Sequence, residues 1–172
     1  MVQMRPTLLS SCAQAATAKE AAFRIDRTVD LVRATRVIAL DEGAERVIRE
    51  VAEQSWHDAR FLMLDPDAPA VSEDEHGADL VLRDHLGTPT HLSEQLESAD
   101  SVVMVATTSK DVAPVRTIGE AAMLRGIMTA GIVFGDNETV RDVVLAQRPY
   151  ARVLLISRED DDLAEILTAL RA

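Results

Sequence analysis

Six short runs rich in Val, Ile, Leu and Met punctuate the chain, at 36–40, 60–64, 79–82, 101–106, 127–134 and 152–157. Between them the apolar positions take helical spacing, at about 43–54, 91–97, 112–124, 138–147 and 161–171. Continuous apolar runs alternating with helical patterns predict parallel strands buried on both faces and joined by right-handed crossovers. The expected fold is α/β: a three-layer, doubly wound, mainly parallel sheet of Rossmann-like type with about six strands. The run at 101–106, SVVMVA, alternates too little to have a wet face and is expected at the centre of the sheet.

Ahead of the first run, residues 11–35 carry Ala15, Ala18, Ala22, Ile25, Val29 and Val32 on one helical face. Two readings stand: a helix laid on the sheet, or a dimer seam. Residues 1–10 are expected to form a disordered tail, leaving 11–172 as one domain. The stretch 65–77, DPDAPAVSEDEHG, combines two prolines with five acids and is expected to be an exposed loop. Asp136 or Asn137 is placed to cap a helix from Glu138, and the acids of 159–162 fall at the positive end of the last helix.

Composition narrows the possible partners. Acids outnumber bases 29 to 18, and a net charge of −11 repels nucleic acid and anionic membrane alike. Lys19 and Lys110 are the only lysines, so the many arginines read as a GC-rich bacterial coding bias rather than as binding sites. With Cys12 alone, no internal disulfide or thiolate metal cluster can form, which suits a reducing cytoplasm. The opening MVQMRPTLLSSCAQAA has too short an apolar patch for a secretory signal, and no run is long enough for a spanning helix.

In a doubly wound sheet, ligands collect beyond the carboxyl ends of the strands. After the first run comes Asp41, Glu42, Gly43, Ala44, Glu45, where one glycine among acids opposes a phosphate. His57, His76, His85 and His91 lack the spacing of a zinc site, and His57 beside Asp58 lies at the wrong end of a strand for catalysis. No metal or other cofactor is expected. The best candidate ligand site is the loop Thr107, Thr108, Ser109, Lys110, Asp111, which joins the apolar strand to a helix amino end. Hydroxyls, an ammonium and unpaired amides there suit an anionic small molecule; alternatively Ser109 or Asp111 merely caps the helix.

From 35 to 162 the order of elements resembles the nucleotide-binding half of the bacterial tubulin homologue FtsZ. The pieces that carry this are TRVIALDEGAERVIREVAEQSW, ARFLMLDPDAPA, ADLVLRDHLGTP, ESADSVVMVATTSKDVAPV, LRGIMTAGIVFGD and ARVLLISREDDDL. The resemblance implies that 102–105 lies beside the first strand, with the 127 and 153 strands progressively beyond. Layout is matched better than chemistry. The family's glycines after the first strand are replaced by Asp41, Glu42, Gly43, and its glycine-threonine signature by Thr107 to Asp111. Only Ala113, Pro114 and Val115 resemble the residues that come after that signature in the family. The resemblance therefore implies a degenerate domain without GTPase activity. The stretch ADSVVMVATTSKDVAPVRTIGEAAMLRGIMTAGIV is also similar to the sugar-phosphate-binding SIS domain, which would give Thr107, Thr108 and Ser109 a phosphate.

Two functions remain. One is a noncatalytic regulatory or interaction domain that associates with itself or with another protein; the other is a binding protein or enzyme for a phosphorylated ligand at Thr107 to Asp111.

Overall fold

The computed structural model of the chain describes residues 33–65, 71–74, 77–159 and 161–172. Strand β1 (Thr35–Ala39) leads into α1 (Glu42–Ala52) and back to β2 (Ala59–Leu64). Four short strands follow: β3 (Val71–Asp74), β4 (Gly77–Asp79), β5 (Val81–Asp84) and β6 (Pro89–His91). Alternation then resumes with α2 (Leu92–Glu97), β7 (Ser101–Ala106), α3 (Ala113–Leu124) and β8 (Met128–Phe134). Helix α4 (Arg141–Gln147), β9 (Val153–Ser157) and α5 (Asp162–Leu170) complete it. The tail expected at 1–10, and the helix expected over 11–35 as far as residue 32, lie outside the described residues; Thr35 itself opens β1.

The main sheet runs β6-β5-β2-β1-β7-β8-β9. Its core is parallel, with Val37 opposite both Phe61 and Val103, and β8 and β9 follow beyond β7. This is the expected α/β sheet, with seven strands in place of about six. Every residue of β7 is buried. Val103 and Val105 face Ala44 and Ile48 of α1 and Leu163 and Leu167 of α5. Val102, Met104 and Ala106 face Leu92 and Leu96 of α2, Val115 and Ile118 of α3, and Val143 of α4. Helices thus cover both faces, each fully buried Val or Met contributing about 1.5–3 kcal/mol.

Two expectations between β2 and α2 need correction. The run at 79–82 is not a parallel strand of the series; it divides between β4 and β5, and β5 is antiparallel to β2 and to β6. The stretch 65–77 is not wholly loop, since β3 pairs with β4 in a separate two-stranded sheet. The β5–β6 turn explains why β6 runs back along β5. Asp84 accepts from the Leu86 and Thr88 amides at 2.9 and 2.7 Å, and Gly87 takes φ +87°, a conformation glycine adopts without strain.

At the amino edge of the sheet, β1 buries Arg36. Its guanidinium donates to the Gln95 and Ser98 carbonyls at 3.1 and 3.5 Å and to Ser98 Oγ at 2.9 Å, binding cationic charge to the carboxyl end of α2. Burial lowers its pKa, and Arg60 lowers it further against the attraction of Asp58, 4.0 Å away. His57 also lies at this edge, its amide donating to the Ala172 carbonyl at 3.1 Å.

Candidate functional site

Strands β1 and β7 pair directly, yet α1 leaves β1 towards one face and α3 leaves β7 towards the other. Their carboxyl ends therefore frame the switch-point crevice in which doubly wound folds hold ligands. This chain fills that position with its own carboxylate. Two residues beyond β1, Asp41 is extended and caps α1, accepting the Ala44 amide at 2.9 Å through Oδ1. The same oxygen accepts Thr107 Oγ1 at 2.5 Å, while Oδ2 accepts the Thr107 and Thr108 amides at 2.7 and 3.0 Å. A carboxylate that takes four donors from two loops binds them as a bound anion would.

Gly43 makes the approach possible. A Cβ at that position would lie 2.1 Å from Thr107 Oγ1 and 3.0 Å from Thr107 Cβ, so any side chain there would push the two loops apart. Beside Asp41 opens a cavity of about 270 Å³, lined by Asp41, Glu42, Glu45, Met63 and Arg83 among others. Glu45 is paired with Arg49 at 2.6 Å, and Arg83 lies 3.5 Å from Asp65. Three acids on its wall oppose a phosphate.

The candidate loop thus divides by role. Thr107 and Thr108 serve Asp41. Ser109 Oγ accepts the Val143 amide at 3.2 Å, so it caps α4 rather than the helix that follows it. Asp111 accepts the Ala113 amide at 2.9 Å at the start of α3, in keeping with the capping alternative. Lys110 is exposed and lines a groove between α3 and α4. The caps expected at Asp136 and Asn137 are replaced: the Asp136 carbonyl accepts the Thr139 and Val140 amides, its carboxylate pairs with Arg158 at 2.6 Å, and α4 starts only at Arg141. In the last helix Asp162 and Glu165 do occupy the first turn, and Asp162 accepts Ser157 Oγ.

Sequence reasoning misses the use made of Asp41, although an aspartate directly after a buried run and before a helical stretch is a cap signal. It also misses Tyr150. That ring packs on Gly119, where a Cβ would come within 2.3 Å of it, and its hydroxyl donates to Glu120 at 3.4 Å. Partial burial and then the Glu120 charge raise the Tyr150 pKa above its ordinary value.

Among the described residues, no group of three or more His, Cys, Asp or Glu side chains could hold a metal ion, and no helix is long and apolar enough to cross a membrane. No protein-family model and no curated protein matches the chain.

Proposed function

We propose that this chain is a noncatalytic, cytoplasmic α/β domain that acts by binding protein, either a second copy of itself or another chain, on a degenerate nucleotide-binding type of scaffold. The observation that carries this reading is the Asp41 carboxylate, bound to the Thr107 and Thr108 amides at the switch point. A phosphorylated ligand at Thr107 to Asp111 would have to displace an anion tethered to the chain, past Glu42 and Glu45. Kinship with FtsZ, in this reading, lies in layout and not in phosphate chemistry; β7 beside β1, with β8 and β9 beyond, supports it. Association finds support at β9, which pairs only with β8 among the described residues and exposes Val153 and Ile156.

A thermal-shift panel of nucleotides, sugar phosphates and acyl carboxylates tests the reading. A ligand at a hundred times its dissociation constant adds about 2.7 kcal/mol, a shift of several degrees for a domain of this size. The expected result is silence across the panel. A reproducible shift with any phosphorylated compound overturns the reading in favour of the small-molecule alternative.

A further inference from the structure

Strand β2 outruns its partner on one side. It pairs with β1 from Ala59 to Met63 but with β5 only from Leu62 to Leu64, because β5 ends at Asp84 and the chain turns away into β6. Ala59–Phe61 therefore has a strand on one side and, among the described residues, none on the other. Alternation fixes where its main-chain groups are directed. The Asp58 carbonyl accepts the Thr35 amide of β1 at 3.0 Å, whereas the Asp65 amide donates to the Val81 carbonyl of β5 at 3.2 Å. Even-numbered residues of β2 thus bond towards β1 and odd-numbered ones away from it, which directs the Ala59 and Phe61 amides into the gap. The gap opens on a cavity of about 400 Å³, lined by this stretch, by Thr88 and Thr90 on the β6 side and by Gln95 of α2. Gln95 donates to Thr90 Oγ1 at 2.9 Å and accepts from the Arg60 guanidinium at 3.5 Å.

We propose that this notch takes an extended segment of a partner protein by strand addition, in line with β5 and beside Ala59–Phe61. Two amides with no strand opposite them set the chemistry of the occupant: an extended main chain offers acceptors and donors at strand spacing, and a helix, whose backbone groups are used internally, does not. The open edge is three residues long, about 10 Å at roughly 3.3 Å per residue. Residues opposite one another on paired strands share a face. The partner residue opposite Arg60 therefore lies on the polar side with Gln95, and its two neighbours lie with Ala59 and Phe61 on the apolar side, where the Phe61 ring stands 6.3 Å from Trp56. The segment is expected to read apolar, polar, apolar. This docking rests on the interaction reading above and names the surface and the partner's conformation.

The test is selection of random heptapeptides displayed on phage against the full chain, followed by fluorescence anisotropy of the enriched peptides and of copies N-methylated at alternate residues. Strand addition requires that one alternate set of N-methyl groups lower affinity about tenfold or more, while the other set, on the outward edge, changes it by less than about twofold. Thr88→Tyr, at an exposed position on the cavity wall, should block the notch and cost about tenfold or more. Ala59→Pro should weaken binding in the same way by removing one donor at the first position of β2, where proline is tolerated. Melting temperatures show that each variant is folded, and Thr88→Tyr decides the matter alone if Ala59→Pro is not. Failure to enrich any peptide, equal sensitivity to both N-methyl sets, or indifference to Thr88→Tyr overturns the notch, and with a silent thermal-shift panel the interaction reading still stands. A shift with a phosphorylated compound strikes that reading itself. Self-association in sedimentation that Thr88→Tyr abolishes gives the notch to a second copy and overturns the partner assignment.

Discussion

Replacing Asp41 by asparagine separates a simple helix cap from a bridge across the switch point. Asparagine caps helices about as well as aspartate, so loss of the cap alone predicts almost no change. The bridge predicts a large one. Oδ1 accepts from Ala44 N and Thr107 Oγ1, and Oδ2 from Thr107 N and Thr108 N. A carboxamide has one acceptor oxygen, so either its amino group meets two backbone N–H donors or it turns over and the Ala44 cap is lost. Hydrogen bonds to a charged acceptor contribute about 1.5–3 kcal/mol each when buried; Asp41 is half-buried, so two lost bonds cost about 2–4 kcal/mol together. At about 2–4 °C per kcal/mol, the melting point should fall by roughly 10 °C. Urea unfolding followed through Trp56, the single tryptophan, measures the change directly. An Asp41→Asn midpoint within about 0.5 kcal/mol of the parent would refute the bridge.

Gly43→Ala should destabilise by about 1–3 kcal/mol despite alanine's higher helix propensity, because its Cβ would strike a Thr107 side chain held by Asp41; a gain in urea midpoint would show that the loops yield freely. Gln147→Met should raise the melting point, by about 1–2 kcal/mol in stability, since the amide is fully buried without a hydrogen-bond partner among the described residues; a fall would show that the space against Gly131 does not accept the thioether or that the amide is satisfied. The Asp84 carboxyl is held below the usual aspartate range, by the Thr88 amide first and then, against slight desolvation, by the Leu86 amide. Its contribution to the β5–β6 turn is therefore complete above the unfolded value of about 3.9 and is lost as pH falls through the depressed folded value. The stability gap between parent and Asp84→Ala should narrow in urea titrations as pH drops through that window, and a gap independent of pH would contradict the assignment.

The parallel core is legible in the sequence because its signals are local. A strand covered on both faces has to be apolar at consecutive positions, and β7, as SVVMVA, shows this without reference to any neighbour. Strands β3 to β6 carry no such mark. VSED, GAD, VLRD and PTH are short and mixed, and of their pairings β5–β6 follows the Asp84 turn rather than hydrophobic pattern. The loop Thr107 to Asp111 is rich in anion-binding donors, as its residue types indicate, but its anion stands 66 residues away in sequence at Asp41. No motif at fixed spacing links the two; parallel pairing of β1 with β7 brings them together. The role of Ser109 is hidden for the same reason, because the helix it caps begins after another strand.

Isothermal titration of GTP, with magnesium present, into the full chain tests most directly whether the switch point is closed by its own carboxylate. With Asp41 on the donors and Glu42 and Glu45 beside them, binding should be absent or weaker than about millimolar, where affinity is only some 4 kcal/mol. A micromolar isotherm that disappears on substitution of Thr107 and Thr108 would contradict the account.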